Sequence, residues 1–134
     1  MTVLVGYVPT PEGEAAFTAA LVEARRRSEG LVVLNTARSG AAVSVDVAPE
    51  DAIREITERA AGEGVELDLR QTSHGGDAAD EVLRVARQVD ASVIVIGLRR
   101  RSPVGKLLMG SSAQRILLEA DRPVLAVKPV QRGG

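Results

Sequence analysis

Cysteine is absent from this chain, which excludes disulfide staples and thiolate metal ligands alike. Tryptophan is missing too, and the aromatic side chains are Tyr7 and Phe17 alone. A core must therefore be assembled from Val, Ile, Leu and Ala, a palette that suits parallel strands covered by helices on both faces. No apolar run approaches the roughly 20 residues that a membrane span needs. The first residues, MTVLVGY, carry no basic stretch ahead of a long apolar one, so neither export nor membrane insertion is expected and the address is read as cytoplasmic. Charge of one sign is not in excess either. Lys and Arg number 17 against 18 Asp and Glu, for a formal net charge of −1, which argues against coating nucleic acid by bulk electrostatics. The single histidine, His74, has no second His and no Cys to join it, so no metal site is expected.

What is present fits one globular domain. The chain has 134 residues, 45% of them hydrophobic and 26% charged, enough for a single substantial core. Residues 1–130 are read as that domain and 131–134 as a tail, with no internal repeat. Strand and helix patterns alternate along it. Thr2 to Tyr7 reads as a short strand. Thr10 and Pro11 then suit the N-cap and first position of a helix with Phe17, Ala20, Leu21 and Ala24 inward and Gly30 as its stop. Leu31 to Thr36 is apolar without alternation and is expected in the sheet interior. After a poorly patterned stretch, 37–48, Pro49 opens a second helix on the face of Ile53, Ile56 and Ala60, ended by Gly62 and Gly64. Val65 to Gln71 alternates apolar and polar residues, which marks a strand with one wet face at a sheet edge. Asp77 can cap a third helix with Val82, Ala86 and Val89 inward. An apolar run, Ser92 to Ile96, then precedes a fourth helix and a last strand, Pro123 to Lys128. Five strands interleaved with four helices imply right-handed crossovers and a doubly wound α/β fold. Ligands of such sheets lie beyond the carboxyl ends of the strands, where strand order reverses.

One stretch concentrates chemistry. From Gly97 to Ser112 the sequence GLRRRSPVGKLLMGSS links the fourth strand to the fourth helix, with Arg99, Arg100, Arg101 and Lys106 and no acidic residue. Glycines permit close backbone approach, cations supply opposite charge, and a helix N-terminus offers unpaired N–H groups to an anion. A phosphate-bearing ligand is the expectation. Ser111 with Gln114 has the spacing of a capping box, which makes Ser111 the expected N-cap. A P-loop would need Gly at 100 and Ser or Thr at 107, where Arg100 and Leu107 stand. A dinucleotide fingerprint would need a glycine-rich turn after the first strand, where VPTPEG stands. Neither reading survives.

The spacing of Gly97, Gly110 and Ser111, flanked by SVIVIG and ILLEADRPVLAVKP, resembles the universal stress proteins. These carry Gly, two residues, Gly, nine residues, then Gly and Ser or Thr after the fourth strand. The resemblance spans essentially the whole chain. It implies a parallel sheet of order 3-2-1-4-5 of the adenine nucleotide alpha hydrolase-like type and a homodimer joined through the last strand, here Val124 to Lys128. For binding members it implies an adenine nucleotide, ATP, ADP or AMP, with Mg²⁺ entering only together with it. The positions it assigns to the ligand are Gly6, Tyr7 and Val8 after the first strand, Thr36 after the second, and Ile96, Gly97, Arg99, Arg100, Gly110, Ser111 and Ser112 around the fourth.

Two positions depart from the pattern. Val8 stands where an Asp contacts adenine, removing a hydrogen bond worth about 1.5–3 kcal/mol. Arg100 replaces the second glycine, giving up close backbone approach while offering a guanidinium that can pair with phosphate bidentately. Tyr7 can stack on a base or fill space. Two functions stay open: a nucleotide-binding stress-response module, in which hydrolysis is slow for want of a general base or a Mg²⁺ carboxylate in the loop, and a dimeric interaction protein of the same fold that binds no nucleotide.

Overall fold

A computed structural model describes residues 1–8, 10–36, 50–72, 77–98 and 110–129. The elements run β1 (Thr2–Tyr7), α1 (Pro11–Arg27), β2 (Gly30–Thr36), α2 (Glu50–Gly62), β3 (Leu67–Thr72), α3 (Ala78–Gln88), β4 (Ala91–Gly97), α4 (Ser111–Glu119) and β5 (Val124–Val127). All strand pairings are parallel and the sheet order is β3-β2-β1-β4-β5. The expected doubly wound architecture is the one observed.

Strand periodicity sorts the core into two layers. Val3, Val5, Tyr7, Leu31, Val33, Val93 and Val95 point to one face and pack on Ala16, Phe17, Ala20 and Ala24 of α1 and Ile56 and Ala60 of α2. Leu4, Val32, Leu34, Ile94 and Ile96 point to the other face and meet Val82, Val85 and Ala86 of α3 and Ile116 of α4. Because β1, β2 and β4 are covered on both sides, they read as unbroken apolar runs. A register shift between Thr2 and Val3 against β4 accompanies the polar start of that strand, where the Ser92 hydroxyl donates to Glu29 Oε1 and lies 3.3 Å from the Thr2 carbonyl oxygen.

Helix ends follow local chemistry. Thr10 caps α1, its hydroxyl accepting from the Gly13 amide, with Pro11 at the first position. Asp77 caps α3 by accepting from the Ala79 amide at 2.8 Å. The stop of α1 differs from expectation: Ser28, in the left-handed region at φ 54°, is its C-cap, while Gly30 already opens β2. A short hydroxyl side chain tolerates that conformation less well than glycine does, but the Ser28 and Glu29 amides each close onto the last turn, which offsets the strain. Strand β3 begins at Leu67, not Val65, and lies at the sheet edge as its alternation implied. Arg122 ties the start of β5 to its neighbours, donating to the Ala86 and Ala91 carbonyls at 2.9 and 3.0 Å. The strand order turns outward in opposite directions from β1 and β4, so their carboxyl ends, Tyr7 and Gly97, flank the crevice.

Candidate functional site

The β1 side of the crevice is a packed joint. Tyr7 is fully buried, its ring set edge-to-face on Phe17 with centroids 6.3 Å apart. The hydroxyl donates to Glu14 Oε1 at 2.6 Å, and burial, followed by that carboxylate, holds its proton on well above the ordinary tyrosine range. Arg59 of α2 lies over the Phe17 ring at 5.0 Å and 3.8 Å from Glu14. The ring of Tyr7 therefore fills space and presents no open face for stacking. Gly6, one residue earlier, is roomier: an added Cβ would meet Val82 Cγ2 at 3.8 Å.

The first turn of α1 is driven against both strand ends. The Val8 carbonyl accepts from the Thr10 amide at 2.8 Å, and a Cβ on Gly13 would fall 1.8 Å from that carbonyl oxygen. A Cβ on Gly97 would fall 2.3 Å from the Glu12 carbonyl oxygen. Gly97 is thus required by α1 whatever ligand the loop after it holds, a reason that sequence spacing did not reveal. Ile96 buries its side chain in the α3–α4 layer, so only its main chain is available at the crevice. Thr36 ends β2 on the same edge of the sheet, one residue beyond the Tyr7–Asn35 pair.

Across the crevice, Gly110 is the N-cap of α4, not Ser111, which is the first helical residue. The reason is geometric. Gly110 takes the extended backbone of a cap and its carbonyl accepts from the Gln114 amide at 3.0 Å, so the reciprocal Ser111–Gln114 box is not formed. A glycine cap has no side chain to occupy the first-turn amides, which is the arrangement an anion exploits. Ser111 is exposed and Ser112 half-buried. Arg99, Arg100, Arg101, Lys106 and His74 lie outside the described residues.

Asp77 joins α3 to α4. Besides capping α3 it accepts from Arg115 Nη1 at 2.8 Å, while the same guanidinium reaches Asp80 at 2.6 Å and Glu119 at 3.1 Å. The Ala79 amide foremost, then Arg115 and Ser112, hold the Asp77 carboxyl below the usual carboxylate range. Such a carboxylate is a poor general base. Among the described residues no cluster of His, Asp or Glu is set to hold a metal, and no helix is long and apolar enough to cross a membrane. A cavity of about 420 Å³ opens beside Gly30 and Gly64, near the amino-terminal end of β2, but Glu29, Glu63 and Glu66 line it and its one cation, Arg25, pairs with Glu63 at 2.8 Å, a poor setting for an anion.

Comparison with known proteins agrees with this fold. The universal stress protein family matches residues 1–128. A universal stress protein of Mycolicibacterium smegmatis is 43% identical over 127 residues, covering 95% of this chain and 97% of that protein. The structure of a universal stress protein from Archaeoglobus fulgidus superposes with a TM-score of 0.72 at 30% identity, covering 96% of this chain and 98% of the other. Two further structures show the same fold over 96% of this chain and 98% of theirs: an Archaeoglobus fulgidus universal stress protein in complex with dAMP, TM-score 0.63 at 22% identity, and a universal stress protein in complex with cAMP, TM-score 0.69 at 20% identity. The fold is that of the doubly wound parallel α/β domains. The chain belongs to the universal stress protein family.

Proposed function

We propose that this protein is a stress-response binding module that holds an adenine nucleotide, ATP, ADP or AMP, at the carboxyl ends of β1 and β4, with the phosphates against the first turn of α4. The observation that carries this reading is the glycine-capped N-terminus of α4, which the parallel β4–α4–β5 crossover puts on the carboxyl-end side of the sheet. The dAMP and cAMP complexes of family members support the ligand class. Gly110, Ser111, Arg99 and Arg100 are assigned to the phosphates, and the main chain around Gly6, Val8, Thr36 and Ile96 to the base and ribose. Mg²⁺ enters only with the nucleotide. The protein works in the cytoplasm as a homodimer joined through β5, where Leu125 is 38% exposed on a short edge strand.

Titration calorimetry with ATP, ADP and AMP tests this directly. Saturable binding is expected, weakened about tenfold by Ser111→Ala or Arg100→Ala, as loss of one charge-assisted contact implies. No heat from any adenine nucleotide with folded protein refutes the reading. It would leave the second one, a dimeric interaction protein, which Val8 favours by offering adenine no polar side chain.

A further inference from the structure

The first turn of α4 must be held still if its amides are to meet a ligand at fixed distance, and the side chains that hold it come from α3. Asp77 is anchored at the N-terminus of α3 by the Ala79 amide at 2.8 Å. Arg115 Nη1 of α4 grips that carboxylate at 2.8 Å. Nη2 and Nε of the same guanidinium reach Asp80 at 2.6 Å and Glu119 at 3.1 Å. Two helix N-termini, both positive ends, are thereby brought together across a carboxylate that offsets their repulsion. Arg115 faces three carboxylates at once, so its charge is fully engaged and it is not a phosphate ligand. Its planar fork spans partners on two helices, which a lysine ammonium does not reproduce.

We infer that Arg115 is a positioning residue for the anion site: it fastens the first turn of α4 to the cap of α3 and cancels carboxylates that otherwise repel an arriving phosphate. This rests on the site proposed above.

The test measures ADP affinity by calorimetry at low and high salt, and amide hydrogen exchange over residues 114–117, where the Gln114 amide makes the first helical bond of α4, in ligand-free protein, for the parent, Arg115→Gln and Arg115→Lys. Arg115→Gln is expected to weaken ADP by on the order of tenfold or more and to speed exchange in that turn. Part of the affinity loss is recovered at high salt, because the exposed carboxylates are then screened; a merely loosened helix gives no such recovery. Arg115→Lys, which keeps the charge and the fold, is expected to fall between the two. Parent-like ADP affinity and exchange in both variants overturns the inference and leaves the site intact. A parent that binds no ADP removes the site itself, and unchanged exchange would then remove the fastening as well.

Discussion

Gly6 and Gly97 stand near the ends of adjacent strands, yet a methyl group added at each meets opposite surroundings. At Gly97 it runs into the Glu12 backbone at 2.3 Å, whereas at Gly6 it makes ordinary contact with Val82 at 3.8 Å. Gly97→Ala is therefore expected to cost about 1–3 kcal/mol as α1 is pushed off β4, and Gly6→Ala to be neutral or to add about 0.4–1 kcal/mol by restricting the unfolded chain. Urea denaturation of the two variants checks the contrast, and equal midpoints would contradict it. The sequence marks Gly97 as special through its place in a motif. It does not disclose that a helix from the far end of the chain presses on it, because no local pattern records that approach.

At the scale of elements, the links between helices carry the pH dependence. The Asp77 carboxyl is held below its ordinary range in the fold, so its contribution is present above the unfolded value, near about 3.9, and is lost as pH falls through the lower folded value. Asp77 faces Arg115, which also engages Asp80 and Glu119. Asp77→Asn preserves the cap and removes the charge. Its stability deficit at pH 7 is expected to shrink as pH is lowered past 4, measured by acid-dependent thermal unfolding, and a deficit constant with pH would exclude this account. The caps at Thr10 and Asp77 and the edge position of β3 were legible, since each depends on residues within a turn or on simple alternation. The Ser28 stop and the Gly110 cap were not, because backbone closure overrode the local preference for Gly30 and Ser111. Nor was the Arg115 fork, whose partners on α3 and α4 have no common sequence signature.

For the whole molecule, alternating strands and helices gave the layers, while strand order came only through likeness to a family, since right-handed crossovers permit several orders. The observed order leaves β5 at one edge with Leu125 exposed and Leu118 on α4, 77% exposed, uncovered as well. Sedimentation equilibrium is expected to give a dimer that Leu125→Glu shifts toward monomer by placing like charges opposite one another. A monomer at high concentration would count against the β5 interface. The joint of Tyr7 with Phe17, Glu14 and Arg59 has one more consequence. As the chain's sole tyrosine, with no tryptophan beside it, Tyr7 is the dominant near-ultraviolet chromophore and the only useful intrinsic fluorophore. Light therefore reports on the seam between the first strand and the first helix, and a folding experiment followed by emission alone would be blind to the opposite layer opening first.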